Sequence, residues 1–407
     1  MLTSTPATPA TPAIPARPPT RHRAGATRNR RLGRALRIAG RVGRVDEALM
    51  AEIGTGFHRC DRLGAELAAA MKRPTHDPQH LTMGAFQRAL HEGAGPDAPP
   101  ALRAFLAATS TEPDWLDRDL LARGQQVFHR FGRNAGDVLL QLSLIGGYRF
   151  GGPTELLVAT GGLTGDSTIR RLAETQHWTT SLTTPGGLEP GAEAWRLTLH
   201  VRAMHALVNH AFTPRWDVEA WGLPINASDQ AATLGLFDGA VLLGVRALGV
   251  PVSRDDARAV LHLWRYVGGL LGVEDRWLVE DERERHRLNY HLLLAQTHQT
   301  DAGRQLTAAL VDGQRDLHFA TFPRLRGWVA RERLLSMLTV FLGPRSMREL
   351  GLPIRPPWAH VGVIVRNLYR YRTARGRAGL DAWADRARAR ELQRNFGDGP
   401  REVGPLR

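Results

Sequence analysis

The chain has 407 residues, 43% of them hydrophobic and 23% charged, with a formal net charge of +14. That length allows a sizeable buried core in one large domain or two ordinary ones. The lone cysteine, Cys60, excludes an intrachain disulfide and any cysteine-based zinc site.

The charge is concentrated at the ends. Residues 1–45 hold ten arginines and no acid, and residues 355–407 hold twelve arginines against five acids. The middle of the chain is left at about −3. Lys72 is the sole lysine, so the arginine bias reads as GC-rich coding rather than selection for phosphate contacts. Basic tails on a nearly neutral body read as solvated termini, and no specific nucleic-acid partner is expected.

In chain order, residues 1–45 are a basic Pro/Arg-rich tail expected to be disordered, because so many prolines preclude a helix over its first twenty residues. The tail has no apolar h-region, and no uncharged hydrophobic run follows its Arg pair. The best apolar run, "DGAVLLGVRALGV", is too short to span a membrane and is broken by Arg246. A cytoplasmic protein without a transmembrane segment is the expectation.

From about Val45, "VDEALMAEIGTGFHRCDRLGAELAAAMK" predicts one helix up to Pro74, with Cys60 inside it. "TEPDWLDRDLLARGQQVFHRFG" predicts another, capped by Thr111 with acids in its first turn. "NAGDVLLQLSLIGGYRFGGPTELLVATGGL" predicts a helix ending at Gly146-Gly147, a turn, and a second helix. "DSTIRRLAETQHWTTSLTT" follows as a helix capped by Asp166 or Ser167. After the loop "PGGLEPGAEA" comes a histidine-rich helix, and after "WGLPINASDQ", with a helix start at Ser228 or Asp229, at least four more helices run to about residue 345. Apolar residues three and four apart dominate, and alternating β-branched runs are rare, so the fold class is all-α. Residues 46–350 are expected to form one helical domain and 351–407 an Arg-rich helical extension.

The histidine-rich helix poses the chemical question. In "WRLTLHVRAMHALVNHAF", His200, His205 and His210 stand five apart. Each step of five turns a side chain by roughly 140°, so the three cannot converge on one ion. Zinc helices use an i,i+4 pair, and no HExxH occurs. A lone axial histidine is a different matter, since haem needs one such ligand, a flat apolar slot and cations for its propionates. His205 has Met204, Ala206, Leu207 and Val208 around it, with Arg202 one turn earlier on the same face. A satisfied core histidine is the competing reading.

Five segments in order resemble the rubber oxygenase (latex-clearing protein) and MpaB-type oxygenase family: "GGPTELL" at 151–157, "RLAET" at 171–175, "VRAMHALV" at 201–208, "WGLPIN" at 221–226 and "WRYVGGLLGV" at 264–273. The resemblance implies a globin-like multi-helix bundle that carries haem b. It implies His205 as the iron ligand and Arg202 as an arginine near the haem. Arg171 and Thr175 would line the distal side, and Glu155 would be the catalytic base. The partners implied are dioxygen and a hydrophobic small-molecule or isoprenoid substrate whose C=C bond is cleaved.

The positions suit those roles physically. Arg171 and Thr175 share a helix face as an i,i+4 pair, from which a guanidinium and a hydroxyl could steady a developing oxyanion. Glu155, if buried beside an apolar channel, would have a raised pKa suited to proton abstraction. The plainer alternatives stay open: a surface ion pair for Arg171, back-bonding within its helix for Thr175, a first-turn acid for Glu155. So does a haem sensor or carrier that lacks the oxygenase cycle. One departure stands out. Residue 174 is glutamate, where relatives can carry a lysine able to occupy the distal iron site, and Glu174 cannot donate an amine.

Overall fold

The computed structural model describes residues 17–161 and 166–396. Among them every regular element is helical. The N-terminal arm carries α1 (Ala26–Leu32) and α2 (Arg34–Ala39). α3 (Glu47–Gly56), α4 (Arg62–Met71), α5 (Met83–Glu92) and α6 (Pro100–Ser110) follow. α7 (Arg118–Phe131) and α8 (Arg133–Val138) lead into a π-helical segment, Leu139–Ile145, and then α9 (Pro153–Ala159), α10 (Asp166–Ser181) and α11 (Glu193–Phe212). The next six are α12 (Val218–Trp221), α13 (Ala227–Phe237), α14 (Gly239–Ala247), α15 (Arg254–Leu270), α16 (Glu282–Ala295) and α17 (Asp301–Asp312). α18 (Pro323–Glu349), kinked at Gly343, α19 (Trp358–Arg372), α20 (Ala374–Ala378) and α21 (Leu380–Phe396) complete the chain. No described helix is long and apolar enough to cross a membrane.

Side-chain caps set several of the helix starts: Asp46, Thr82, Asp117, Asn226, Ser253 and Asp281 each accept a backbone N–H from the first turn they precede. The core centres on Trp264 of α15, which is fully buried. Its indole stacks on Phe237 at 4.9 Å and meets the rings of Phe128 and Trp178 at 5.5 and 6.0 Å. α7 crosses α15 so closely that a Cβ on Gly124 would lie 2.2 Å from the Ala259 carbonyl oxygen. A second apolar cluster joins Ile145 to Leu306, Leu310, Leu335 and Leu338.

Three expectations change at this level. The helix predicted from Val45 to Pro74 is two helices. The chain leaves α3 at Phe57 because the carbonyls of Phe57 and Arg59 accept the backbone N–H groups of Leu223 (2.8 Å) and Ala227 (2.8 Å). Cys60 therefore sits in a loop, half-buried, and burial pushes its thiol pKa up, which disfavours a reactive thiolate. Thr111 ends α6, its hydroxyl bonded to the Ala107 carbonyl (2.8 Å), and Asp117 caps α7 instead. Asn226 rather than Ser228 or Asp229 caps α13, because Ser228 is bonded to the Ile53 carbonyl (2.6 Å) and Asp229 is paired with Arg21.

The disordered tail is the largest correction. Residues 1–16 lie outside the described residues, but from residue 17 the arm is strapped across α16 and α13. Arg21 is 3% exposed, ion-paired with Asp229 and lying 4.2 Å over the Phe57 ring. Asn29 is fully buried and donates to the Leu293 and Gln296 carbonyls at 3.0 and 2.9 Å. Proline excludes helix from the first stretch, yet buried polar contacts order the arm beyond it. At the other end α19 packs on α18, and α21 packs on α7 and α10, so the Arg-rich extension, over its described residues, packs on the body. Asn29→Ala removes two buried side-chain hydrogen bonds, to the Leu293 and Gln296 carbonyls, and is expected to lower the unfolding free energy by about 1–3 kcal/mol in urea titration; a solvated arm would give no change.

Candidate functional site

α11, the π-helical segment, α10, α13 and α18 enclose a cavity of about 1630 Å³. That exceeds the roughly 300–1,000 Å³ of ordinary small-molecule sites. Its wall is mostly leucine, valine and aromatic carbon. The π-helical turns help to shape it, since Leu139, Leu140, Gln141, Leu142, Ser143 and Leu144 all reach the wall; such irregular turns are frequent at functional sites.

α11 turns one broad face to this space through His200, Val201, Met204, His205 and Val208. Spacing alone sends His200, His205 and His210 in three directions. A cavity this wide takes in two of them, while His210 is exposed. Burial pushes the pKa of His205 down, against an opposing pull from Asp61, and does the same to His200 against Glu174. Both imidazoles are therefore held neutral near pH 7. Among the described residues none hydrogen-bonds either ring nitrogen of His205, whose Nδ1 is buried without a partner. Such an orphan in an apolar wall requires a physical account.

Arg202 does not face the cavity. Its guanidinium makes a two-pronged pair with Asp61 (Nε 2.6 Å, Nη2 2.7 Å), bonds the Leu270 carbonyl at 3.3 Å and lies 5.0 Å over the Phe105 ring. The helical angle puts Arg202 just past the cavity arc of α11, and Asp61 captures it. Thr175 lines the cavity and is exposed, and Glu174 lines it beside Thr175. Arg171 lies one turn before Thr175 on α10; its side chain lies outside the described residues.

Glu155 stands behind the wall. Its Oε2 accepts the Gly152 N–H (2.5 Å) and the Thr154 hydroxyl (2.8 Å), which ties the carboxylate to the start of α9. The neighbouring Pro153, Thr154 and Leu156 line the cavity. Two wall arginines carry no expectation from the sequence. Arg149 bonds the Gly146 carbonyl (2.8 Å) and the Ser346 hydroxyl (3.1 Å), and burial, then Arg28, pushes its pKa down to about 10. Arg388, from α21, is likewise lowered by burial. The only local cue for Arg149 is its place between two glycine pairs, and for Arg388 there is none.

Among the described residues no three His, Cys, Asp or Glu side chains are placed to hold a metal ion. A metal at His205 would need the rest of its ligands from an organic macrocycle. The donor set present suits that: the unpartnered, neutral imidazoles of His205 and His200, a largely apolar wall, and two partly buried arginines, Arg149 and Arg388, for carboxylates.

An all-helical fold with a large apolar cavity and, among the described residues of α11, two wall imidazoles with an unpartnered buried nitrogen, His200 and His205, is the frame of a protein that buries a hydrophobic cofactor, a hydrophobic substrate or both. The chain belongs to the family described as ER-bound oxygenase mpaB/B'/rubber oxygenase, catalytic domain, whose pattern matches residues 129–378. It is 26% identical over 186 residues to a rubber oxygenase of Streptomyces sp. (strain K30), a match spanning 44% of this chain and less than half, 45%, of that relative. The fold is similar to that of latex clearing protein LCP in the closed state, with a TM-score of 0.65 and 19% identity, over 86% of this chain and 94% of the other.

Arg202→Ala leaves Asp61 buried without its cation and is expected to cost about 3–5 kcal/mol of stability in urea unfolding. It should leave the visible spectrum of any cofactor bound in the cavity unchanged. A spectral shift without loss of stability would put Arg202 at the cofactor instead.

Proposed function

We propose that the protein is a haem b-dependent oxygenase that cleaves the C=C bond of a hydrophobic, isoprenoid-like substrate with dioxygen, giving two carbonyl products. The observation that carries this reading is His205, a neutral imidazole without a protein partner in the wall of a large apolar cavity, in a chain of an oxygenase family. Bound haem would supply the one-electron chemistry that lets ground-state dioxygen react with an alkene. His205 would hold the iron, and Arg149 and Arg388 would meet the propionates.

The remaining steps belong to the protein. The leucine-rich wall takes the alkene from water and keeps water out, which strengthens every charge interaction inside. Thr175, with Arg171 one turn away, orients the oxygen substrate and offsets the negative charge that develops on it. Glu155, held by the Gly152 N–H and by the hydroxyl of the wall residue Thr154, takes an allylic proton and returns it as the C=C bond is cleaved, so the two carbonyl products carry both oxygen atoms and no net proton is lost.

One observation favours a second reading, a haem carrier or sensor of the same fold: the Glu155 carboxylate is already engaged by Gly152 and Thr154. Consumption of dioxygen with an isoprenoid alkene separates the two, since a carrier shows none; in an enzyme, Glu155→Gln is expected to lower turnover at least tenfold, and unchanged turnover would leave Glu155 only a helix cap. The prior test is the visible spectrum of protein produced with haem supplied. We expect a Soret band that His205→Ala abolishes or shifts, and consumption of dioxygen when an isoprenoid alkene is added. No Soret band after haem reconstitution would remove the oxygenase reading.

A further inference from the structure

α19 is apolar on two faces, and the fold uses only one. Its inner face, Ala359, His360, Val363, Asn367 and Tyr371, is buried. On the opposite side Trp358, Val361, Val365, Leu368 and Tyr369 are 51%, 54%, 61%, 42% and 56% exposed. At 100° per residue these five fall within an arc of about 100°, a continuous stripe along a helix about 22 Å long. Single exposed apolar residues need no explanation, but an aligned row of five does.

The charge on the stripe's own segment has one sign. Residues 350–380 contain six arginines and no acid, and the next acid in the chain, Asp381, is paired with Arg130. Arg355 is spent on Glu332, and Arg370 is half-buried against the Trp383 ring at 3.8 Å. Arg366, Arg372, Arg375 and Arg377 are exposed, and no carboxylate among the described residues pairs with them. The stripe also adjoins the cavity. The Ser336 hydroxyl of α18 holds the start of α19 through the Ala359 N–H (3.1 Å), and Val340, one turn on, is both 42% exposed and part of the cavity wall. Leu325 and Val329 at the start of α18 are likewise exposed wall residues.

We propose that the outer face of α19 docks this protein on the surface of an anionic phospholipid membrane, with the apolar stripe in the acyl boundary and the four exposed arginines against the headgroups. An interfacial helix needs this combination of an apolar arc with aromatic ends and flanking cations. A soluble protein partner would satisfy the stripe, but an acid-free cationic segment selects a polyanionic surface. A lipid-soluble molecule would then meet the cavity edge along the exposed side chains of α18 without crossing water.

The test is flotation of the full-length protein with vesicles of phosphatidylcholine alone and of phosphatidylcholine with phosphatidylserine. The protein should float only with the anionic vesicles. V361D/V365D should abolish flotation, and each charge reversal in R366E/R372E should weaken it about fivefold, the equivalent of about 1 kcal/mol per arginine near an anionic leaflet. All four side chains are exposed, so melting temperature and elution volume should stay at wild-type values. Should the aspartates disturb α19, the arginine variant alone carries the test. The proposal is overturned by absent flotation, or by equal flotation on uncharged vesicles. It is also overturned if binding survives both α19 variants but is lost in R34E/R37E on the arm, or if wild-type dimers split by V361D/V365D reveal a second copy on this face.

Discussion

A helical body that keeps about 1630 Å³ open inside itself cannot fix its helices by packing their inner faces, so they must be held from behind. Buried arginine–carboxylate pairs do this. Arg202 locks the back of α11 to Asp61, Arg21 ties the arm to Asp229 of α13, Arg333 joins α18 to Asp137 beside the π-helical segment, and Arg285 of α16 meets Asp238 with both side chains fully buried. Such pairs add little net stability, because desolvation offsets most of the attraction. They do make one rotation of each helix far better than its neighbours. For α11 that rotation is the one that turns His200 and His205 toward the cavity and leaves Arg202 at its back.

The cavity wall also departs from regular helix where regular helix would close it. The Leu139–Ile145 segment winds more widely than an α-helix and brings six consecutive side chains to the cavity, more than one face of an α-helix would present. Gly343, at a positive φ of 77°, lets α18 bend so that Leu342 reaches the wall while Met347 packs in the second core. Outside this ring the packing is tight, as at Gly124 against α15. Packing is tight where helices meet back to back, and the cavity lies between their inner faces.

Legibility in the sequence depends on range. Helix type and the positions of α10 and α11 are written in local periodicity and glycine breaks, and the exclusion of a three-histidine metal site needs only the helical angle. The ordering of the arm was not legible, because Asp229, which pairs with Arg21, and the carbonyls that Asn29 reaches lie more than 200 residues away and composition sees only prolines and arginines. The split between α3 and α4 is set by hydrogen bonds from the Leu223–Ala227 loop, which no window around Phe57 contains. Arg202 reads as a cofactor cation from spacing alone, since it flanks His205 by three residues. Asp61 reassigns it, and that carboxylate is 141 residues away.

The arginine bias, which taken as a sum suggests nucleic acid, divides by depth into three uses. Deep inside, a guanidinium reaches a carboxylate with two parallel bonds, as Arg202 does with Asp61, a geometry an ammonium cannot form. At the cavity wall the issue is staying charged. Burial pulls Arg149 down to about 10, so it remains a cation at neutral pH. A lysine starting near 10.4 and shifted by a similar amount would fall to roughly 8 and begin to lose its charge where an anionic group must be met. On the outer face of α19 the same side chain stands exposed beside an apolar stripe. One residue type thus serves as clamp, as cavity cation and as surface charge, and burial decides which.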